Sequence, residues 1–367
     1  MSLHLKQTLA SICSKDRSPH GIAFNADQIQ TLLEETDPPI LSRLFRSARE
    51  MRRLHFGDDI FLYGFLYFST YCRNNCIFCQ YRNANTKLQR YRKTTVEILD
   101  AARKMAASGV HLIDLTMGED NYFHHDGTKG YHRLIRIVEA LKTETGLPVM
   151  ISPGVLPDSV IKKMAHAGAD WYACYQETHS PGLFSRLRPG QRFHKRMAAK
   201  HAAKRDGLFV EEGILTGVSE KTSDIIRSLN AIRELDADQA RVMTLVPHRG
   251  TPMAGVDAAD DRLELITIAI MRLMFPTLLI PASLDVKGLD GLKARLDAGA
   301  NIVTSLIPPG NGLSGVAEGD LDIDEERRTP SGIGPILSEC GLKAADSQAY
   351  LQWMVQRRYK KGYVSKG

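Results

Sequence analysis

The sequence predicts a parallel (β/α)8 barrel of the TIM type with helical additions at both ends. Three observations predict it. Eight short apolar runs alternate with segments of helical periodicity. Gly109, Gly168, Gly207 and Gly299 fall where helical segments stop, as helix ends require. Eight such units suit a closed ring better than the alternative, a doubly wound open sheet. A chain of 367 residues, 43% of them apolar, is long enough for one such core plus additions.

Taken in order, residues 1–56 read as an N-terminal helical cap and residues 57–308 as the barrel. Strands are expected at 60–68, 111–116, 149–152, 171–175, 209–215, 240–245, 279–283 and 301–304. Helices are expected between them at 95–108, 131–144, 158–167, 194–206, 222–234, 262–274 and 289–298. Residues 124–130 read as an insertion. Residues 309–367 form an extension, Gly- and Asp-rich at first, with a helical stretch at 347–358 expected to cover one barrel face. No repeat beyond the β/α unit and no low-complexity tract is visible. The 48 Lys and Arg exceed the 42 Asp and Glu by a net charge of +6, spread along the chain, which gives no footing for nucleic acid. The most apolar stretch, 266–284, contains Arg272, Pro276 and Pro281, so no membrane span is expected.

Directly after the first expected strand come Cys72, Cys76 and Cys79, spaced C-x3-C-x2-C. A four-iron cluster normally takes four thiolates, so three on one loop leave one iron open. That iron can bind the amino and carboxylate groups of S-adenosylmethionine (SAM) and pass it an electron. Homolysis then gives a 5′-deoxyadenosyl radical. Zinc would need a fourth close ligand, and Cys13, Cys174 and Cys340 are scattered singly. A disulfide framework does not suit a chain this long without a signal peptide. The cysteine pattern resembles the radical SAM superfamily, which implies a [4Fe-4S] cluster on these cysteines and Phe78 against the adenine. Gly118 and Glu119 resemble the superfamily's Gly-Glu motif, in which a backbone carbonyl accepts from the SAM amino group; Glu119 is otherwise an ordinary loop carboxylate. An oxygen-labile cluster and free cysteines point to a reducing cytoplasm.

In a barrel, chemistry gathers at the C-terminal strand ends, and central strands are apolar. Polar residues inside them therefore stand out. Asp114 shares a face with Thr116 in the second strand, and a buried carboxylate needs a partner, basic and structural or a cationic substrate group. Ser152 ends the third strand. Glu177 follows the fourth, with Arg186, Arg188 and Arg196 behind it. Glu177 suits ammonium or ribose hydroxyls, and Arg196 suits a carboxylate. One of Arg186 and Arg188 reads as a solvated helix-end charge. Arg241 in the sixth strand needs a carboxylate, either Asp114, Asp285 or the substrate. Ser283 and Asp285 share a face at the end of the seventh, and Thr304 and Ser305 close the eighth. This lumen fits a small amino acid with a second positive charge.

The runs 67–72, 114–120, 150–154, 175–178, 212–218, 241–244, 272–276, 280–285 and 298–305 resemble the methylornithine synthases, biotin-synthase-like radical SAM enzymes of pyrrolysine biosynthesis. The resemblance implies a lysine mutase. The adenosyl radical takes a side-chain hydrogen from L-lysine, the substrate radical splits into a glycyl radical and an aminobutene, and these rejoin as (3R)-3-methyl-D-ornithine with SAM regenerated. It further implies that Asp114, Ser152, Arg241, Ser283 and Asp285 contact the amino acid, with Asp114, Arg241 and Asp285 at the centre of catalysis. Glu177 and Arg196 are then SAM contacts. An electron donor such as flavodoxin or ferredoxin is implied, with no nucleic acid and no membrane. The alternatives are biotin synthase, disfavoured because only Cys174 lies on an expected strand, a hydrogenase-maturation enzyme, and a non-catalytic iron–sulfur protein.

Overall fold

A computed structural model describes residues 20–124, 127–308 and 327–363. Parts of both expected additions, 1–19, 309–326 and 364–367, and residues 125–126 of the expected insertion lie outside the described residues. The strands are β1 (Asp59–Ser69), β2 (Leu112–Met117), β3 (Val149–Ser152), β4 (Trp171–Ala173), β5 (Phe209–Thr216), β6 (Gln239–Thr244), β7 (Pro281–Ser283) and β8 (Ile302–Leu306). They run in the order β6-β5-β4-β3-β2-β1-β8-β7, all parallel. A parallel bridge between Gln239 and Leu279 links the two ends of that path, with Ala240 N donating to the Leu279 carbonyl at 3.0 Å. The predicted closed barrel is the observed one.

Helices fill the crossovers, as parallel pairing requires. In chain order they are α1 (Ala26–Leu33), α2 (Pro38–Phe56), α3 (Thr95–Ser108), α4 (Asn121–His124), α5 (Gly127–Thr145), α6 (Asp158–His166), α7 (Pro181–Leu187), α8 (Phe193–Arg205), α9 (Thr222–Leu235), α10 (Arg262–Met274), α11 (Leu292–Asp297), α12 (Pro330–Glu339) and α13 (Ser347–Lys360). Their inner faces and the outward strand residues form one continuous apolar core, with Ile113, Val138, Ile161 and Leu229 fully buried in it. Thr94 starts α3 with a capping box to Glu97, and Gly109 ends it in the left-handed region. The expected helix at 289–298 is instead a 3-10 turn, Gly288–Gly291, followed by α11. Strand β4 is shorter than expected, because its ladder with β5 breaks after Ala173, where Gln176 N donates to the Glu212 side chain, and pairing resumes only at Glu177, whose φ is +66°.

Four elements were not foreseen: α4, α7, α12 and a short strand β9 (Lys343–Ala344) that pairs with the start of β1. β9 brings α13 under the N-terminal end of the ring. There Tyr350 and Trp353 meet Phe61, Tyr63, Trp171 and Phe209, and the Tyr63 and Tyr350 hydroxyls lie 2.7 Å apart. The barrel floor is thus closed by aromatic rings, leaving the opposite, C-terminal end as the mouth. Among the described residues no helix is long and apolar enough to cross a membrane.

Candidate active site

The cysteine loop leaves β1 at Ser69 and is fixed from several sides. Arg73 N donates to the Glu119 carbonyl at 3.0 Å and Ile77 N to the Leu187 carbonyl at 2.9 Å. Arg90 gathers the carbonyls of Thr70, Tyr81, Arg82 and Asn85. Gly118 sits against the loop so closely that a Cβ there would lie 2.3 Å from the Tyr71 carbonyl oxygen, so the position demands glycine.

All three thiols face one cavity, of about 1240 Å³ counted to its open mouth. Burial pushes the Cys72 and Cys79 thiols up, and each neighbouring sulfur adds to the effect. Three crowded thiolates are costly unless a cation shares them, which is what a cluster supplies. Cys76 Sγ accepts from Arg188 Nη1 at 3.3 Å and Gln191 Nε2 at 3.0 Å, and Cys72 Sγ from Asn74 N at 3.5 Å. N–H donors aimed at sulfur suit cluster thiolates. No three His, Cys, Asp or Glu side chains among the described residues close on a single metal ion.

Beside the cysteines lies a belt of paired charges. Glu177 holds Arg188, whose guanidinium lies 5.2 Å from the Phe78 ring centre. Arg188 is therefore buried and engaged, and the exposed helix-end charge is Arg186, in the last turn of α7, which bonds the Val218 and Ser219 carbonyls. Glu119 is not an ordinary loop carboxylate either. It is buried between Arg73 at 2.9 Å and Arg196 at 3.4 Å and accepts from Val155 N at 3.1 Å. Burial pushes its carboxyl up, but Arg196 and the other donors outweigh this and hold it below its ordinary range. Arg196 also donates twice to the Tyr175 carbonyl, at 2.9 and 3.1 Å. Phe78, Gly118, Glu119, Glu177 and Arg196 all line the cavity.

Deeper in the ring sits the lumen set. Parallel register places Asp114 beside Met150 and Thr116 beside Ser152, and Ser152 Oγ donates to Asp114 Oδ1 at 2.7 Å. The other oxygen, Oδ2, has no hydrogen-bond partner among the described residues. Burial, then the charge of Glu211, raises the Asp114 carboxyl to about 7. Arg241 is paired with neither Asp114 nor Asp285, which corrects the sequence expectation. Its Nε donates to Glu211 at 2.7 Å, and Tyr175 Oη donates to the other Glu211 oxygen at 2.8 Å. The guanidinium rests on the rings of Tyr175 and Phe65, 4.9 and 5.3 Å away, and Nη2 has no hydrogen-bond partner among the described residues.

Asp285 is more fully engaged. Arg328 donates to Oδ1 at 2.7 Å, while Tyr67 and Ser305 donate to Oδ2 at 2.8 and 2.7 Å. Ser283 Oγ accepts from Asp285 N at 3.3 Å. Ser152, Arg241 and Asp285 line the cavity; Asp114 and Ser283 lie just outside its lining.

Sequence reasoning missed Glu211, Arg328 and His248. Glu211 obeys the rule that singled out Asp114, a carboxylate within an apolar strand. Arg328 lies beyond the barrel, and no local pattern announces it. His248 follows β6 and lines the cavity; burial lowers its imidazole to about 4.

Residues 66–232 match the model of the radical SAM superfamily. The chain is 42% identical to the 3-methylornithine synthase of Methanosarcina barkeri (strain Fusaro / DSM 804), over 90% of this chain and 93% of that protein. It is 31% identical to the [FeFe] hydrogenase maturase subunit HydE of Thermotoga maritima, over 76% of this chain and 79% of that one. A crystal structure of methylornithine synthase (PylB) superposes with a TM-score of 0.86 at 40% identity, covering 95% of this chain and 99% of that one.

Proposed function

The chain belongs to the methylornithine synthase family of the radical SAM superfamily, and on that premise we propose that it rearranges L-lysine to (3R)-3-methyl-D-ornithine, the first step of pyrrolysine biosynthesis. Cys72, Cys76 and Cys79, which line one cavity, would hold the [4Fe-4S] cluster, and with SAM bound that group would supply the radical chemistry that removes a lysine hydrogen. A low-potential carrier such as flavodoxin or ferredoxin supplies the electron, in the cytoplasm. The same reading divides the chain into a cap at 1–56, a barrel at 57–308 and a covering extension at 309–367.

One observation carries the substrate assignment. Asp114, Glu211, Asp285, Arg241 and Arg328 sum to one negative charge when Asp114 is ionised, all of them buried. Lysine carries one net positive charge. Of these five side chains, Asp114 Oδ2 and Arg241 Nη2 lack partners among the described residues, and they match the ε-ammonium and the α-carboxylate. Filling both removes two unsatisfied buried groups at once. Asp285, with Ser283 beneath it, offers its carboxylate to the α-amino group while Arg328 and Ser305 fix its direction.

The chain's residues then do three things in the reaction. Arg241, clamped by Glu211 and Tyr175, holds the carboxylate end in one orientation. Asp114 and Ser152 hold the amine end. The aromatic floor closes the ring below, so both fragments stay in one cage until they recombine. On the SAM side, Glu177 and Arg196 face the cavity beside the cluster. Their existing pairs with Arg188 and Glu119 orient them for ribose and carboxylate contacts. The test is anaerobic incubation of the reconstituted protein with dithionite, SAM and L-lysine. The expected product is methylornithine, isobaric with lysine and separated from it chromatographically. Cleavage of SAM without a rearranged amino acid would refute the assignment.

A further inference from the structure

We propose that the outer surface of residues 70–93, together with the exposed face of α5, is the docking site of an acidic one-electron carrier protein that reduces the cluster. This rests on the cluster assignment above and adds the partner's address and chemistry. The first observation is charge. Residues 70–93 contain Arg73, Arg82, Lys87, Arg90, Arg92 and Lys93 and no acid. The stretch that carries the three cysteines is therefore basic and free of acids.

The second observation is placement. Arg73 and Arg92 are balanced by Glu119 and Asp120. Lys87 is exposed, as are Lys129, His132 and Arg136 on α5. A shallow groove on α5 is lined by Lys129, His132, Arg133 and Arg136 against one acid, Glu139.

The third observation joins the two areas. Arg92 lies between the rings of Tyr71 and Tyr122, 4.7 and 4.5 Å from their centres, and Arg133 lies 4.2 Å over the other part of the stack at Tyr122. Tyr71 and Tyr122 are exposed. Tyr71 directly precedes Cys72, so this rigid ladder of rings and guanidiniums begins at a cluster ligand and ends at the α5 groove. Tyr and Arg are the residues that anchor interfaces. An acidic carrier is steered to such a patch by long-range attraction, which salt screens.

At the interface one electron leaves the carrier, which is oxidised, and enters the cluster, which is reduced; no bond forms or breaks there. Because SAM is regenerated in the rearrangement, the carrier primes the enzyme and departs. A small electrostatic contact suits such a transient encounter.

The test mixes anaerobic holoenzyme with an acidic flavodoxin in its hydroquinone form and follows cluster reduction by stopped-flow absorbance. Lys87→Glu/Arg136→Glu should lower the bimolecular rate about tenfold or more at low salt and flatten its salt dependence. Reduction by dithionite and thermal stability should stay unchanged. Arg43→Glu/Arg46→Glu, on α2, carries the same charge change and should leave the flavodoxin rate within about twofold. Equal rates for the patch variant and the wild type would overturn the proposal, as would an equal loss in the α2 control. RNA or DNA binding at physiological salt, abolished by the same reversals while flavodoxin reduction is unmoved, would overturn it in favour of nucleic acid. Methylornithine formation with dithionite is read separately and bears only on the activity.

Discussion

The two ends of the barrel are built on opposite principles. At the floor, Phe61, Tyr63, Trp171, Phe209, Tyr350 and Trp353 pack ring against ring, and Trp171 and Trp353 stack with centres 5.9 Å apart. At the mouth, carboxylates and guanidiniums are buried in pairs, and Asp114 Oδ2 and Arg241 Nη2 are left over. Three of the five non-glycine residues with positive φ, Glu177, Ser219 and Lys287, follow strand C-termini at this end, and Ser305 sits in the last two residues of β8. The floor gains stability from burial. The mouth holds backbone strain and unsatisfied charged atoms, whereas the unpaired floor atoms Trp171 Nε1 and Tyr363 Oη are neutral. The difference teaches where to look for function in such a ring: at the end whose buried charges do not close.

Substitutions at the two ends should therefore separate activity from stability. The largest effect is expected at Cys76. Cys76→Ala should abolish the four-iron absorbance, while Cys174→Ala, also buried and at the cavity wall, should retain it; loss in both would widen the ligand set. Next comes Glu211→Gln, which keeps the shape but removes the counter-charge of Arg241. The expected fall in kcat/KM for lysine is roughly 30-fold or more, about 2 kcal/mol. Since Glu211 helps raise the Asp114 carboxyl, the acid limb of the pH profile should also move below about 7. An unmoved limb would mean that Asp114 is not the titrating group. The smallest effect belongs to the floor. Tyr350→Phe removes the hydrogen bond to Tyr63 and should cost about 1 kcal/mol in denaturant unfolding, with KM for lysine unchanged.

Much of this contrast is legible in the sequence, and the illegible part has a common cause. The eight units, the cysteine loop and the Asp114–Ser152 neighbourhood follow from local pattern, because period, spacing and parallel register are local properties. Glu211 and Glu212 stand side by side in β5, so the two-residue alternation sends them to opposite faces. Glu211 goes to Arg241, and Glu212 goes to Lys200 and His179 under α8. Reading that alternation would have placed Glu211 in the lumen. The Arg328–Asp285 pair spans 43 residues and joins the barrel to a segment beyond it. Such pairings are decided by tertiary packing, and no periodicity encodes them. β9 and α12 were missed for the same reason.

Asp114 is the residue on which the account turns. Its carboxyl is raised in the folded state to about 7 from an ordinary 3.8. Between those values the folded protein holds a proton that the unfolded chain has lost, so this group's contribution to stability falls as pH rises through that window and is flat above it. Asp114→Asn should thus be more stable than the wild type at pH 8, by up to about 4 kcal/mol. Activity should move the other way. In the wild type kcat/KM for lysine should fall on the acid side of about 7, where the carboxylate that pairs the ε-ammonium is protonated. The most direct measurement places wild type and Asp114→Asn side by side under anaerobic conditions with dithionite, SAM and L-lysine, and quantifies methylornithine and SAM cleavage in the same reaction. The account predicts a folded, cluster-loaded Asp114→Asn that still binds SAM and loses at least about 30-fold in methylornithine formation. Equal methylornithine from the two proteins would contradict it and leave Asp114 as a structural carboxylate of the ring.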